Sequence, residues 1–105
     1  MTDSLAALAQ RLQQFAQARD WQRFHSPKNL ACALAVEAGE LLEHFQWLSE
    51  AQSCHLDTAS KAEVADEMAD VLLYLVQLAT VMEVDVLEAA QRKIERNEQR
   101  FPASG

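Results

Sequence analysis

Residues 60–82, SKAEVADEMADVLLYLVQLATVM, carry the longest helical pattern in the chain. Apolar side chains recur there every three or four residues, which is the spacing of one helix face. That stripe consists of Val64, Met68, Val71, Leu75, Leu78 and Met82. Glu67, Asp70 and Tyr74 follow one edge of it at spacing i, i+3 and i+7. The pattern predicts a helix whose buried face is bordered by carboxylates.

Three further segments show the same spacing, and together the four predict an all-α protein. Ser26 is a good N-cap with Pro27 at the first helical position, and Ser60 with Glu63 matches a capping box. Eighteen alanines and fourteen leucines stand against eleven β-branched residues, which favours helix over sheet. We therefore expect a four-helix bundle in a single domain, residues 1–105. The predicted helices cover about residues 4–19, 27–50, 60–82 and 85–100.

Composition excludes several classes of function. Sixteen acidic against nine basic residues argue against nucleic acid as a partner. Gly39 and Gly105 are the only glycines, so neither a Walker loop nor a dinucleotide fingerprint is present. No apolar run reaches the length of a membrane span, and the N-terminus lacks a signal-type pattern. Cys32 and Cys54 have no CxxC spacing and are too few for a disulfide framework. A cytoplasmic protein with no membrane partner is the expectation.

The predicted second helix has a carboxylate within its apolar stripe. The stripe consists of Leu30, Leu34, Leu41, Phe45 and Leu48, and Glu37 lies inside it. Glu40 lies about 60° to one side. A carboxylate in an apolar surface must be paired, protonated or bound to a metal. Few basic side chains are available to form an ion pair with these glutamates. The second and third predicted helices contain only Lys28 and Lys61, both in first turns, and no arginine.

Two predicted helices thus each bring a carboxylate pair toward the core. Two carboxylates about 5 Å apart repel by roughly 3 kcal/mol at an effective dielectric constant near 20. Hard oxygen ligands on helices suit Mg²⁺, with Mn²⁺ as a possible substitute. A di-iron site is disfavoured, because no histidine follows a glutamate in an ExxH step. Glu63 is explained by its capping box, and Glu43 and Asp66 point toward solvent. The opposing interpretation is a non-enzymatic helical interaction module whose acidic pairs are structural.

These segments resemble a known family. EAGE (37–40), LLEHFQW (41–47) and EMADVLLYL (67–75) are similar to the MazG-like superfamily of all-α nucleoside triphosphate pyrophosphohydrolases, and more narrowly to its dCTP pyrophosphatase branch. The flanking segments RDWQRFHSPKNL (19–30) and KIERNEQRFP (93–102) extend the resemblance over nearly the whole chain. It implies an enzyme that hydrolyses a nucleoside triphosphate to the monophosphate and pyrophosphate with Mg²⁺. It also implies a homotetramer built as a dimer of dimers.

The resemblance also implies roles for individual residues. Lys93 and Asn97 match positions that contact phosphate and sugar, and Arg100 matches a basic position. The expected catalytic groups are Lys93, which would neutralise the leaving group, and a proton acceptor, for which Glu40 is the first candidate and an outer-lying neighbouring carboxylate the alternative. Val36 and Leu12 depart from the family, which often has glutamate and histidine at these positions. The family positions that surround the base and sugar correspond to Trp21, His25, Trp47 and Tyr74. The family's Mg²⁺ ligands correspond to Glu37, Glu40, Glu67 and Asp70.

Residue spacing leaves some of these roles open. Lys93, Asn97 and Arg100 lie at i, i+4 and i+7, so they can face one ligand or form a solvated basic face. Trp21 and Trp47 can stack on a base or belong to a core or an interface. The helix at 60–82 is apolar almost all round, with Leu72, Leu73 and Val76 opposite the first stripe. We expect this second face to bury against another subunit.

Overall fold

The computed structural model describes residues 4–104, and every regular element in this range is a helix. The all-α prediction is confirmed, with five α-helices where four were expected. The one-domain prediction also includes residues 1–3 and 105, which lie outside the described residues. Within residues 4–104, no helix combines the length and the hydropathy that a bilayer crossing requires. The helices are α1 (Leu5–Ala18), α2 (Pro27–Glu43), α3 (Glu50–Ser53), α4 (Thr58–Val81) and α5 (Val86–Arg100), with a 3-10 turn at Gln22–Phe24.

Helix α2 begins where the sequence predicts but ends earlier. The Ser26 hydroxyl accepts a hydrogen bond from the Asn29 N–H at 3.1 Å, and Pro27 is the first helical residue. The helix ends at Glu43, so the prediction that it continues to Glu50 is wrong. Residues 44–48 form turns instead, since aromatic residues are weak helix formers and Ser49 starts the next helix. The side chains of Ser49 and Gln52 cap α3 reciprocally.

Helix α4 begins at a different cap from the predicted one. Asp57 is the N-cap, and its Oδ1 accepts the Ser60 N–H at 2.7 Å. This hydrogen bond holds the pKa of Asp57 below its ordinary value. The predicted capping box of Ser60 and Glu63 is therefore wrong, because an aspartate three residues earlier already supplies the cap. Glu63 consequently lies inside the helix, one turn before Glu67.

The core lies where α4 packs against α2 on one face and against α1 on another. The predicted α4 stripe is only partly buried: Val64 is buried, whereas Met68 and Met82 are 57% and 56% exposed. The expectation that Val76 faces another subunit is wrong, since α1 covers that face and leaves Val76 only 3% exposed. Leu73 also faces α1, and of these three residues only Leu72 is exposed. The buried side chains among the described residues are Ala16, Leu30, Val64, Val76 and Ala79.

Helices α1 and α4 end in the same way. Asp20 and Glu83 both have a left-handed backbone, with φ of 55° and 56°. In each case the next N–H returns to the last helical turn: Trp21 N donates to the Ala16 carbonyl at 3.0 Å, and Val84 N donates to the Ala79 carbonyl at 2.8 Å. The first of these turns directs Trp21 back along α1.

Helix α5 is barely covered by the rest of the chain. Every residue from 87 to 100 is exposed. The radius of gyration is 16.8 Å, against about 13 Å for a compact domain of this length. The accessible surface is 8422 Å², against about 5,900 Å² for a folded monomer of this mass. The single subunit is therefore an open arrangement of helices.

Candidate active site

Carboxylates from two packed helices converge at the α2–α4 contact. Glu37 from α2 and Glu67 and Asp70 from α4 each offer an oxygen, and these oxygens all lie within 4.8 Å of one another. Glu37 and Glu67 are half-buried, whereas Asp70 is exposed. Three of the four predicted metal ligands thus form one cluster, which we call the carboxylate cluster.

The fourth predicted ligand, Glu40, joins the cluster through Glu37. A hydrogen bond shared with the Glu40 side chain is the largest cause that raises the pKa of Glu37 to about 7. Burial and the negative charges of Glu40, Asp70 and Glu67 raise the pKa further. A proton therefore stays on Glu37 well above the ordinary range of a glutamate, and it relieves part of the repulsion in the cluster.

The cluster has the donor atoms that a hard divalent cation requires. Among the described residues, Oε2 of Glu37 and Oε2 of Glu67 are buried and have no hydrogen-bond partner. No lysine or arginine in the described part of the chain forms an ion pair with a cluster carboxylate. Unpaired carboxylate oxygens on two rigid helices fit Mg²⁺ or Mn²⁺, which prefer oxygen ligands.

A cavity of ≈ 460 Å³ adjoins the cluster between α1 and α4. Trp21, His25 and Tyr74, three of the four residues predicted to surround a base and sugar, line it. Asp70 lines the cavity as well and so belongs to both features. Trp21 meets Phe15 edge to face, with ring centroids 5.5 Å apart. Flat aromatic walls of this kind favour a planar, partly apolar ligand.

The other predicted substrate residues lie elsewhere in this subunit. Trp47 is 86% exposed in the turn after α2 and does not line this cavity. Lys93, Asn97 and Arg100 lie on α5, where they are exposed and take no part in lining the cavity. Their roles stay predictions.

Sequence reasoning missed three polar residues at the site. Arg11 and Gln77 line the cavity, and Gln77 Oε1 is buried without a hydrogen-bond partner among the described residues. His44 contacts the cluster at Glu67. Helical spacing puts each of them on the same helix face as another residue of the site, but it does not show which of them reaches the site. His44 is i+7 from Glu37, Gln77 is i+7 from Asp70, and Arg11 is four residues before Phe15.

The fold and this site define a class: an all-α protein with a carboxylate cluster on two packed helices beside an aromatic cavity. Comparison with known proteins makes the assignment specific. The chain belongs to the MazG-like family, whose sequence profile matches residues 32–105. The family resemblance found in the sequence is thereby confirmed.

Curated and solved relatives agree with this assignment. The chain is 44% identical over 91 residues to dCTP pyrophosphatase 1 of Rattus norvegicus, an alignment that covers 85% of this chain and 54% of the relative. It is 41% identical over 92 residues to the Homo sapiens protein of the same name, with 86% and 54% covered. The chain thus spans about half the length of the curated relatives it matches. The crystal structure of a pyrophosphatase from Archaeoglobus fulgidus superposes with a TM-score of 0.87 at 42% identity, covering 91% of this chain and 90% of that one.

Proposed function

We propose that this protein hydrolyses a nucleoside triphosphate to the monophosphate and pyrophosphate, with Mg²⁺ as cofactor and with dCTP or a related deoxynucleotide as substrate. One observation carries the proposal: Asp70 belongs both to the carboxylate cluster and to the aromatic cavity. A nucleotide whose base and sugar occupy the cavity therefore has its first phosphate beside the cluster. The dCTP pyrophosphatases among the relatives support the choice of substrate.

The cluster residues have separate tasks in this reaction. Glu37, Glu67, Asp70 and Glu40 would hold the cation, which would offset phosphate charge and make a water more acidic. Water then attacks the α-phosphorus, the P–O bond to the β-phosphate breaks, and pyrophosphate leaves. Glu40 would accept the proton of the water, since it is the one of the four carboxylates that lies outside the group of three oxygens formed by Glu37, Glu67 and Asp70.

The cavity residues fix the nucleoside. Trp21 and Tyr74 offer aromatic rings for stacking, and His25 offers a hydrogen-bonding nitrogen in the same cavity. Leu12 lines the same wall and presents no polar atom to the ligand. Selectivity for the base then depends on the polar groups of the cavity rather than on α1 at this position.

The polar groups that contact phosphate and sugar are proposed to come from a second copy of the chain. Lys93, Asn97 and Arg100 lie on α5, outside the cavity of their own subunit. The accessible surface, 8422 Å², exceeds the expectation for a monomer by roughly 2,500 Å². That excess is about three times what one subunit contributes to a standard interface. We propose the homotetramer, a dimer of dimers, that the family resemblance implies.

The apolar side of α5 supports this assembly. Leu87, Ile94 and Phe101 recur every seven residues and are 53%, 58% and 67% exposed. Asn97 falls within the same stripe, and Lys93 lies beside it on the helix surface. If a second subunit packs on this stripe, Asn97 and Lys93 come to lie at the interface between the two subunits. Each site would then combine carboxylates of one subunit with cations of another.

The reaction products test the proposal directly. Purified protein with Mg²⁺ is offered the common ribo- and deoxyribonucleoside triphosphates in ¹⁸O-labelled water, and the products are separated. We expect monophosphate carrying the label, plus pyrophosphate, with dCTP among the best substrates. Release of orthophosphate and diphosphate would contradict attack at the α position. No turnover, together with no change in melting temperature on adding Mg²⁺, would instead favour the interaction module.

Two further expectations belong to the proposal. The chain forms one domain, and its location is the cytoplasm, as the small number of cysteines suggests. Cys32 and Cys54, both within the described residues, are exposed and unpaired with each other.

A further inference from the structure

His44 is the residue that follows α2, and its ring faces α4. Its Nε2 lies 3.8 Å from Glu67 Oε1, and its Nδ1 lies 4.0 Å from Glu63 Oε2. The side chains of His44 and Glu67 are only 25% and 22% exposed, whereas that of Glu63 is 70% exposed. The imidazole therefore lies between a carboxylate of the cluster and a carboxylate at the surface.

The two oxygens of Glu67 have different surroundings. Oε1 faces the imidazole, and Oε2 is buried without a hydrogen-bond partner among the described residues. The terminal torsion of a glutamate is soft, so an isolated carboxylate samples many orientations of its plane. A donor at one oxygen restricts that rotation and leaves the other oxygen in a fixed direction. The ion pairs found in the described chain include no other contact between a nitrogen and a cluster carboxylate.

We propose that His44 is a positioning residue: its Nε2–H donates to Glu67 Oε1 and holds the carboxylate so that Oε2 is presented to the cation. This inference rests on the proposed function, because it concerns the same cluster. Nε2 of His44 and Oε1 of Glu67 are 3.8 Å apart, so a side-chain movement of about 1 Å brings them into hydrogen-bonding range. Such contacts often tighten only when ligands bind. Groups that orient metal ligands in this way typically change metal affinity by about 10- to 100-fold when removed.

Glu63 completes the arrangement on the other side of the ring. Because Asp57 caps α4, the Glu63 side chain is free to face His44 Nδ1. Its carboxylate can accept a hydrogen bond only from a protonated Nδ1, and its high exposure leaves that contact open to water. Loss of Glu63 is therefore expected to matter less than loss of the imidazole nitrogen.

Metal binding without turnover tests the role of His44. Mn²⁺ is titrated into the full-length protein, and free Mn²⁺ is followed by electron paramagnetic resonance. His44→Phe and His44→Leu remove the donor with two different shapes, and His44→Gln keeps an N–H donor. We expect the Kd for Mn²⁺ to rise about 10-fold or more in the first two variants and to stay within about 3-fold in the third. Glu63→Gln is expected to fall between, and His55→Leu, at an exposed position after α3, is the control.

Steady-state kinetics separate positioning from a purely structural effect. With dCTP, we expect His44→Phe to need more metal for half-maximal rate, with little change in KM at saturating metal. Melting temperatures in EDTA report any loss of fold independently. If the wild type turns over dCTP and both donor-free variants bind Mn²⁺ as the wild type does, the positioning role is overturned and the proposed function stands. Equal weakening by His44→Gln and His44→Phe would also overturn it. A wild type that neither binds Mn²⁺ nor turns over a nucleotide overturns the proposed function itself.

Discussion

At the residue scale, Glu37 connects the fold with the chemistry. Its pKa of about 7 has the hydrogen bond with Glu40 as its main cause, followed by burial and neighbouring negative charge. Between the ordinary glutamate pKa of 4.5 and this value, the folded chain binds a proton that the unfolded chain has released. The free energy of unfolding of the metal-free protein therefore falls as the pH rises through this window.

Replacing Glu37 should remove this part of the pH dependence. In EDTA, we expect the melting temperature of the wild type to fall more between about pH 5 and pH 7.5 than that of Glu37→Gln, because glutamine does not titrate. Mg²⁺ should raise the wild-type melting temperature most at the upper end of this range, where the cluster carries the most negative charge. Thermal denaturation at several pH values checks this. Parallel curves for the two proteins would contradict it, and Glu43→Gln, exposed at the end of α2, is the control.

The carboxylates of the site could be predicted residue by residue, and so could His25 among its nitrogen donors, whereas the contact of His44 could not. Glu37 stood out because it interrupts a leucine stripe, and the structure places it beside Glu67 and Asp70. His44 was considered only as the end of a possible ExxH step, although it shares the helix face of Glu37. Its role depends on the distance between two helices, and helical spacing within one segment carries no such information.

At the element scale, backbone strain at a helix end gives a sharp test. Glu83 has φ of 56°, a left-handed conformation that costs a residue with a Cβ about 1 kcal/mol. Glycine adopts this conformation freely and is the usual residue at this position after a helix. Glu83→Gly is therefore expected to raise the free energy of unfolding by about 0.5–1 kcal/mol. Urea denaturation at fixed protein concentration measures it.

Glu83→Ala is the matched control, because it removes the same charge but keeps the Cβ. It should give none of the stabilisation. An equal gain in both variants would show that the charge of Glu83 is responsible and not the strain.

Helix existence could be read from the sequence more reliably than helix ends. Ser26 with Pro27 marked the start of α2 correctly, since a capping side chain and a proline act within a few residues. The same local reasoning predicts Ser60 as the N-cap of α4, but the actual N-cap is Asp57, three residues earlier. Both residue types are good caps, so the local sequence does not decide between them.

At the scale of the whole molecule, the sequence predicts association through a surface that the chain itself covers in large part. It favoured the second apolar face of α4, which α1 covers in the same chain. Helix α5 as a whole is rich in charged and polar residues, so only its basic residues were considered in the sequence and its apolar stripe was not. Which apolar faces stay open is decided by how the helices fold back on one another, and this follows from loop geometry rather than from periodicity.

A charge in the α5 stripe should break the assembly. In light scattering, we expect the wild type to give about four times the subunit mass of 11.8 kDa. Ile94→Glu should give a smaller mass and lose activity, because it buries a charge in the proposed interface. Gln99→Glu adds the same charge on the opposite, polar side of α5 and should change neither. A wild type that scatters as a single subunit would contradict the assembly.

Sites shared between subunits can be detected by mixing two inactive proteins. Glu40→Gln and Lys93→Ala should each be inactive alone, the first for lack of the proton acceptor and the second for lack of the cation on α5. If Lys93 acts in a neighbouring subunit, a mixed oligomer contains sites that pair an intact carboxylate cluster with an intact α5. Co-refolding equal amounts should then restore activity at about a quarter of the sites. No recovery in oligomers shown to be mixed would mean that Lys93 acts within its own chain, which requires α5 to move from its place in this structure. Recovery would establish that the open subunit becomes an enzyme only on assembly.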